Sequence, residues 1–382
     1  MRSIIIGAGP AGLAAAACLK RAGLAVEIFE RSDRIGPAWH RHYDRLVLHT
    51  SRGRSALPFR PMPSRVPKYP SRQDVIDYLE DYADAFGLAP RFGCAVASVH
   101  STAEGWRVRH AEGDTQAEVV VFATGLNGHA RRPDWPGLAA FPGQVLHSSD
   151  YRDAAAFAGQ RVLVVGFGNS GADIATDLAE AAVDTGLSVR GPVNLLPKEI
   201  LGIPATSLGL LRKLFPPAVA DRLTAPVVRA LIGRPDAYGM VASDKGPMRQ
   251  VLEDGKIPMI DAGALAQIKA GRVAVYPGIA RIEGRTVVFA DGRRADFDAV
   301  VTATGYGLDL KQMLPDAAGD VLDGSGRPRV SGGPTGRCGL YFCSYHVSPN
   351  GQLRQAAMEA QAIAADVSRL ATADQTAART AG

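Results

Sequence analysis

Three glycines near the N-terminus have the spacing of a phosphate-binding loop. Gly7, Gly9 and Gly12 form G-x-G-x-x-G, and Glu30 follows after a second apolar segment. The first glycine allows a tight turn, the second lets the backbone approach a pyrophosphate, and the third lets helix and strand pack closely. A helix N-terminus would face the phosphates, and the Glu30 carboxylate could accept hydrogen bonds from a ribose diol. The pattern predicts a dinucleotide site.

The same spacing recurs in the middle of the chain, at Gly166, Gly168 and Gly171, with Asn169 and Ser170 inside the loop. Arg190 stands where the first site has its carboxylate. A guanidinium can pair with a 2′-phosphate through two donors, whereas a carboxylate repels it, so the second site is predicted to prefer NADPH. The alternative is that Arg190 is a solvated strand end. Two dinucleotide sites in one chain indicate hydride transfer between two cofactors.

The elements around both loops are those that such sites require. Around the first loop we predict a strand at 4–6, a helix at 13–22 and a strand at 25–30. Around the second we predict a strand at 161–165, a helix at 172–182 and a strand at 187–190. The short apolar runs are typical of buried parallel strands. The order strand, loop, helix, strand predicts an α/β fold with two Rossmann-like dinucleotide-binding domains.

Two further segments resemble each other. Strands at 118–122 and 297–301 each lead into an Ala-Thr-Gly turn, which ends at Gly125 or Gly305. A turn of small residues allows the backbone to approach a cofactor closely, or marks a crossing between domains. Either segment alone could be an ordinary strand end.

Composition excludes several classes of protein. The 382 residues are 46% hydrophobic and 21% charged, with a net charge of +5, which fits a globular protein and is too weak a charge to indicate nucleic-acid binding. None of the four cysteines has C-x-x-C spacing, so neither a zinc site nor a redox dithiol is predicted. We expect no signal peptide and no transmembrane segment, and hence a cytoplasmic protein.

The predicted domain organisation is discontinuous. Residues 1–155 and 300–375 form one domain, and residues 156–299 form the other, with a helical insertion at about 200–250 and a frayed tail at 376–382. Within the insertion, 208–214 and 227–232 have the pattern of amphipathic helices. These helices could cover the domain, form a dimer face or touch a membrane surface.

The segment ahead of the second loop carries a family signature. Phe141, Gly143, His147 and Tyr151 fit F-x-G-x-x-x-H-x-x-x-Y, and the chain here resembles the flavin-containing monooxygenases. Along nearly its whole length it resembles the plant YUCCA group, which oxidises indole-3-pyruvate to indole-3-acetate. Segments 43–49, 69–72, 196–202 and 258–265 look similar in the same order.

The resemblance assigns cofactors to the loops. It implies that Gly7, Gly9, Gly12 and Glu30 hold FAD, and that the second loop with Arg190 holds NADPH. By the same resemblance Trp39 lies near the flavin, and backbone groups at Gly351 and Gln352 face the flavin pyrimidine. Trp39 could instead be a core aromatic residue, and Gly351 only a helix N-cap.

Two histidines are candidates for a catalytic role. His147 lies in the family motif, which by the resemblance sits at the junction of the two domains. A structural role, or a role in positioning the cofactor, is favoured over direct proton transfer. His49 stands where many amine- and sulfur-oxidising members carry Asn, so it is a candidate pocket residue, or else a buried histidine bonded to backbone. Nearby Arg41, His42 and Arg45 could attract an acidic substrate or form ion pairs.

The resemblance implies an NADPH- and FAD-dependent monooxygenase. Oxygen would add to the reduced flavin as a C4a-(hydro)peroxide, and one oxygen atom from O2 would enter a small organic substrate. Oxidative decarboxylation of a 2-oxo acid such as indole-3-pyruvate is the first hypothesis. N- or S-oxygenation of an amine or sulfide, and a flavin reductase that passes electrons to a partner, are alternatives. A homodimer is a further expectation.

Overall fold

A parallel sheet carries the first loop. The computed structural model describes residues 1–200, 202–205 and 215–380, with side chains up to residue 373. In the first sheet the strands run in the order Ala25–Phe29, Arg2–Ile6, Val119–Phe122 and Leu340–Phe342, all parallel. The helix Pro10–Arg21 connects the first two strands of the chain, and the final helix Gln352–Thr380 packs against it. Alanines dominate the buried face of the helix Pro10–Arg21, which allows this close packing.

A second parallel sheet carries the second loop. Its strands run in the order Val273–Tyr276, Asp184–Ser188, Arg161–Val165, Ala299–Thr302 and Gln144–His147. The helix Asn169–Glu180 follows its central strand. The sheet takes in Gln144–His147 and extends through Thr302, beyond the 156–299 range expected for the second domain, because Ala299–Thr302 pairs with both of its neighbours in parallel register.

Most predicted elements occur close to their expected positions. Both loop helices begin earlier than predicted, at Pro10 and Asn169, because each starts directly after the second glycine of its loop. The strand expected at 187–190 is Asp184–Ser188, since its pairing with the central strand ends at Ser188, and Arg190 therefore lies beyond it. The final helix, Gln352–Thr380, extends into the range 376–382 that was expected to be a frayed tail.

The described part of the insertion contains helices, together with the short strand Ile203–Pro204. The predicted stretch 227–232 lies within the helix Pro217–Ile232, and the helix Pro247–Asp254 follows it. The predicted stretch 208–214 lies outside the described residues. Among the residues that the structure describes, no helix combines the length and apolar character needed to cross a membrane.

Smaller elements complete the chain. Antiparallel strands are Val96–Thr102, Gly105–His110 and Gly113–Ala117, then Ile279–Glu283, Thr286–Phe289 and Arg294–Asp296. Short pairs join Leu195–Pro197 to Met259–Asp261, Glu199–Ile200 to Ile203–Pro204, and His129–Ala130 to Tyr306–Gly307. Further helices are Pro37–Arg41, Arg72–Ala85, Ala264–Lys269, Leu310–Met313 and Ala318–Val321, with 3₁₀ turns at Arg52–Arg54, Leu138–Ala140, Ala154–Phe157 and Pro235–Tyr238.

Candidate active site

The first loop has the shape of a phosphate cradle. Gly7 adopts a φ of 109°, and a methyl group there would lie 2.7 Å from the carbonyl oxygen of Ala123. A methyl group at Gly12 would lie 1.8 Å from the carbonyl oxygen of Gly7, so only glycine lets the helix approach the loop. Gly9, in contrast, has no atom within 4 Å of that position and faces open space.

The second loop repeats these contacts at corresponding positions. A methyl group at Gly166 would lie 2.5 Å from the carbonyl oxygen of Ala303, and one at Gly171 would lie 1.9 Å from Gly166. Gly168 again faces open space. The first glycine of each loop therefore packs on one of the two Ala-Thr-Gly turns, which explains why those turns resemble each other.

The glycines that close these turns also face open space. Gly125 and Gly305 adopt φ values of 78° and 81°, a region that favours glycine, and neither has an atom within 4 Å of the position that a methyl group would take. The two turns are thus equivalent places in two halves of the molecule.

Both loops fit a dinucleotide pyrophosphate. Helices of 12 residues begin after Gly9 and Gly168, and neither N-cap carries a side-chain hydrogen bond. The first backbone N–H groups of a helix have no partner within it, and the helix dipole favours an anion there. Open space at each second glycine is the room that the backbone needs to approach a pyrophosphate.

The Glu30 carboxylate is buried and fixed by backbone. One oxygen accepts a hydrogen bond from the Ala8 N–H at 2.8 Å, and the other accepts from the Ser32 N–H at 2.9 Å. A carboxylate has about four acceptor positions, so acceptor capacity remains for ribose hydroxyls. The contact with Ala8 also joins the acidic residue to the loop.

The two polar residues of the second loop, and the arginine predicted to act with them, make different contacts. The Asn169 side-chain oxygen accepts a hydrogen bond from the Ile260 N–H at 2.9 Å, which ties the loop to the strand Met259–Asp261. Ser170 contacts the Tyr43 phenol, which donates a hydrogen bond to Asp173 at 2.8 Å. Arg190 is exposed, with its stem beside Gly278.

His147 is fully buried at the junction of the sheets. Its Nδ1 accepts a hydrogen bond from the Ser149 N–H at 3.1 Å, so Nε2 carries the proton and donates to the Gly305 carbonyl at 3.1 Å. Burial lowers the pKa of His147 below its ordinary value. Its ring also meets Tyr306 edge-on, with centroids 5.0 Å apart. These contacts fix the second Ala-Thr-Gly turn, which supports the positioning role over proton transfer.

A cavity of about 250 Å³ lies between the second loop, the final helix and the insertion. Four of the predicted site residues line it: His49, Asn169, Gly351 and Gln352. Most of the remaining wall is apolar: Leu48, Leu196, Ala205, Ala220, Pro247, Met248, Val251, Ile257, Pro258, Ile260 and Pro349. The cavity suits an apolar ring system with a small polar group.

His49 is the titratable imidazole of this wall. Its Nδ1 is buried and has no hydrogen-bond partner among the residues that the structure describes. Burial, with a smaller effect from the Lys198 charge, lowers the pKa of His49 to about 4. The ring is therefore neutral near pH 7.

The N-terminus of the final helix packs against Thr50, the residue after His49. Gly351 adopts a φ of 91°, and a methyl group there would lie 2.5 Å from Thr50 Cγ2. The Gln352 amide donates to the Ser344 carbonyl at 2.9 Å and to the His346 carbonyl at 3.2 Å. Gln352 therefore shapes the turn that borders the cavity.

Other predicted residues lie away from this cavity. Trp39 is half-buried and packs against the hydrophobic core around the helix Pro10–Arg21. Its ring meets the His42 ring edge-on, with centroids 5.7 Å apart. Arg45 pairs with Glu180 at 2.8 Å, as the ion-pair alternative expected. Burial lowers the pKa of His42 to about 4, so that ring is neutral too.

Lys198 was not predicted as a site residue. It directly follows the strand Leu195–Pro197 and lies close enough to His49 to affect its pKa. It is not among the residues that line the cavity, and its charge affects His49 from outside the cavity wall.

Comparison with known proteins agrees with this geometry. The family model described as flavin-binding monooxygenase-like matches residues 1–318, and the chain belongs to this family. It is similar to the indole-3-pyruvate monooxygenase YUCCA1 of Oryza sativa subsp. japonica, at 37% identity over 350 residues, covering 90% of this chain and 86% of that protein.

Two further matches extend along the chain. The indole-3-pyruvate monooxygenase YUCCA6 of Arabidopsis thaliana is 37% identical over 375 residues, covering 95% of this chain and 89% of that protein. A solved flavin-containing monooxygenase from Stenotrophomonas maltophilia has a TM-score of 0.72 and 25% identity, covering 97% of this chain and 98% of that one. Membership confirms the predicted fold class and a flavin-dependent monooxygenase that uses FAD and NADPH.

Proposed function

We propose that the chain catalyses oxidative decarboxylation of a 2-oxo acid with an aromatic side chain, indole-3-pyruvate being the first candidate. The observation that carries this proposal is the apolar cavity bordered by His49, the second loop and the final helix. Its wall suits an indole ring. The similarity to indole-3-pyruvate monooxygenases supports the same substrate class.

We further propose which loop holds which cofactor. FAD would lie on the first loop, with its ribose at Glu30, and NADPH on the second, with its 2′-phosphate at Arg190. When bound, these cofactors supply the hydride transfer and oxygen activation, which no side chain provides. The cavity between the second loop and Gly351 would then hold the substrate.

The side chains around the cavity bind, orient and exclude water. The neutral His49 ring can donate or accept one hydrogen bond without adding a charge to the wall. The apolar residues of the insertion keep water from the reacting atoms, which protects reactive intermediates from hydrolysis. His147 and Gln352 fix the turns that border the cofactor positions.

The test is mass spectrometry of products formed from indole-3-pyruvate, NADPH and ¹⁸O₂. Catalase must be present, because released peroxide decarboxylates 2-oxo acids. We expect indole-3-acetate with one labelled oxygen, formed only with both enzyme and NADPH. Unlabelled product contradicts the proposal. If oxygen label enters only amines or sulfides, the enzyme is an N- or S-oxygenase. Rapid reduction of artificial acceptors without incorporated oxygen indicates a reductase.

We also propose a cytoplasmic homodimer. Cys18, Cys94 and Cys343 are buried free thiols, as expected in a reducing compartment.

The dimer proposal rests on an apolar stripe along the helix Pro217–Ile232. Four exposed apolar residues recur there every four residues: Val219, Leu223, Val227 and Leu231. We propose that a second copy covers this stripe. Light scattering should give twice the chain mass of 40.2 kDa, and Leu223→Glu should give the monomer. A wild-type monomer contradicts the dimer.

A further inference from the structure

A carboxylate lies in the wall of the cavity that His49 borders. Asp221, in the helix Pro217–Ile232, is the charged side chain among the described residues that line this cavity. Asp221, Thr224 and Pro247 also line a second cavity, of about 610 Å³. No described residue of either glycine loop or of the final helix lines that second cavity. Asp221 therefore lies at the end of the first cavity that the insertion forms.

Backbone groups of a neighbouring helix hold this carboxylate in place. One oxygen accepts a hydrogen bond from the Met248 N–H at 2.8 Å, and the other accepts from the Arg249 N–H at 3.1 Å. Both donors belong to the first turn of the helix Pro247–Asp254, where backbone N–H groups have no partner within the helix. A methyl group at Gly246 would overlap the Asp221 carboxyl carbon, so the packing is close as well. The carboxylate is thus fixed in the cavity wall.

The Asp221 carboxylate keeps acceptor capacity that no described group uses. An ionised carboxylate has about four acceptor positions, and the two backbone N–H groups occupy two of them. Among the residues that the structure describes, no cation forms an ion pair with Asp221. The guanidinium of Arg249 pairs instead with Glu253 at 2.9 Å. A fixed negative acceptor in a largely apolar wall favours a neutral donor such as an N–H group and disfavours a second anion.

Other side-chain oxygens of the wall already accept hydrogen bonds. The Asn169 oxygen accepts from the Ile260 N–H at 2.9 Å. The Ser348 hydroxyl accepts from the Asn350 N–H at 3.2 Å. Because Asp221 carries a full negative charge, it is the strongest acceptor of the described wall.

We propose that Asp221 accepts a hydrogen bond from the ring N–H of the substrate and thereby selects an indole over an aromatic ring without a donor. The inference deepens the proposed function and rests on it for the class of ligand. Asp221 repels the carboxylate of the same ligand, which therefore lies toward His49 and the N-terminus of the final helix, where the helix dipole favours an anion.

The test compares two acids of nearly equal shape. Indole-3-propionate carries the ring N–H, and benzothiophene-3-propionate has sulfur at the same ring position. Calorimetry with the FAD-loaded protein should show that wild type binds the indole acid about tenfold or more tightly, the ratio expected for one hydrogen bond to a charged acceptor. Asp221→Asn keeps a neutral acceptor and can still cap the helix, so the ratio should fall to about threefold. Asp221→Ala should abolish the preference.

A ratio of two affinities separates ligand contact from a structural role. A change in helix capping or in the charge of the wall affects both acids alike and cancels in the ratio. Asp244→Asn is the matched control, because Asp244 lines the second cavity and not the first, and its ratio should equal that of wild type. If Asp221→Ala does not retain FAD, Asp221→Asn decides the comparison.

Equal affinity of wild type for the two acids would overturn the proposal, and so would an unchanged ratio in the Asp221 variants. A ratio reduced as much in Asp244→Asn would also overturn it, because the effect would then not come from the cavity wall. Neither acid has a 2-oxo group, so the binding result is independent of the labelled product. If no labelled indole-3-acetate forms but the ratio depends on Asp221, the proposed function fails and the N–H contact stands. If labelled product forms and the two acids bind equally, the function stands and the contact fails.

Discussion

At the scale of single residues, glycine substitutions can test which loop holds which cofactor. Gly9 and Gly168 have negative φ values and open space at the methyl position, so alanine fits the fold at both. The added methyl would instead occupy the path of a bound pyrophosphate. We expect Gly9→Ala to lose FAD on purification, and Gly168→Ala to keep FAD while its KM for NADPH rises about tenfold to a hundredfold.

The readouts are flavin absorbance per polypeptide and steady-state NADPH oxidation. Gly319→Ala is a matched control, because Gly319 also has open space at the methyl position and lies away from both loops. If Gly168→Ala loses FAD and Gly9→Ala retains it, the two assignments must be exchanged.

In the proposed arrangement, Arg190 would distinguish NADPH from NADH. Its guanidinium is exposed beyond the end of Asp184–Ser188, where it can reach a 2′-phosphate. We expect Arg190→Gln to reduce the ratio of kcat/KM for NADPH over NADH by about tenfold or more, the loss of a charge-assisted pair. The value for NADH itself should change little. An unchanged ratio would mean that Arg190 is only a solvated residue.

At the scale of elements, a buried carboxylate holds the final helix to the turn before it. Ser344 has a φ of 69°, which is unfavourable for a residue with a side chain. Glu359, in the helix, accepts hydrogen bonds from the Ser344 N–H at 2.5 Å and the Ser331 hydroxyl at 2.6 Å. This contact fixes the turn that leads to Gly351 and the cavity.

Removing this carboxylate should therefore destabilise the fold. Glu359→Met leaves the buried Ser344 N–H without its acceptor and removes one acceptor of the Ser331 hydroxyl, and we expect the free energy of unfolding to fall by about 2–4 kcal/mol. Glu359→Gln keeps one acceptor oxygen and should lose less. Denaturant titration measures both, and Met358→Leu in the preceding, exposed position is the control. Equal stability of all variants would show that Glu359 does not hold the turn.

The sequence predicted the elements better than the contacts between them. Both loops with their flanking strands follow from local spacing, because glycine is required wherever Gly12 or Gly171 meets its loop backbone. The pairing of Gln144–His147 with Ala299–Thr302 joins residues more than 150 positions apart, and no local pattern encodes it. The same holds for the cavity: its wall joins His49, Ile260 and Gly351, which lie far apart in the chain.

At the scale of the whole molecule, hydrogen bonds connect the two halves at the active site. Tyr43 follows the short helix Pro37–Arg41, and its hydroxyl donates a hydrogen bond to Asp173 at 2.8 Å. The Tyr151 hydroxyl donates to Asp177 at 2.6 Å. Both acceptors lie in Asn169–Glu180, the helix that begins at the second loop. The segment proposed to lie beside the flavin is thus tied to the helix proposed to hold NADPH, and these bonds would fix the relative position of the two cofactors.

The stability of the whole molecule should depend on pH through buried groups at this junction. Burial lowers the pKa values of His42 and His49 to about 4, so the unfolded chain binds these protons more strongly than the folded protein. Their stabilisation is present above the ordinary histidine pKa of 6.5 and is lost as pH falls toward 4. Burial raises the pKa of Asp173 to about 6, which acts in the opposite direction: its stabilisation is lost as pH rises through 6.

Substitutions should therefore change the pH dependence in opposite directions between pH 6 and 4. His49→Gln removes one proton that is taken up on unfolding. As pH is lowered from 6 to 4, the free energy of unfolding should therefore fall less steeply than in wild type, by about 1.4 kcal/mol per pH unit. Asp173→Asn removes one proton that is released on unfolding, so the free energy of unfolding should fall more steeply by about the same amount. The amide oxygen of the new side chain can still accept a hydrogen bond from Tyr43. Urea titrations at several pH values measure each slope, and His129→Gln, at an exposed site, is the control. Equal slopes for His49→Gln and wild type would mean that His49 is not held neutral by burial, and its place in the apolar wall would then need another explanation.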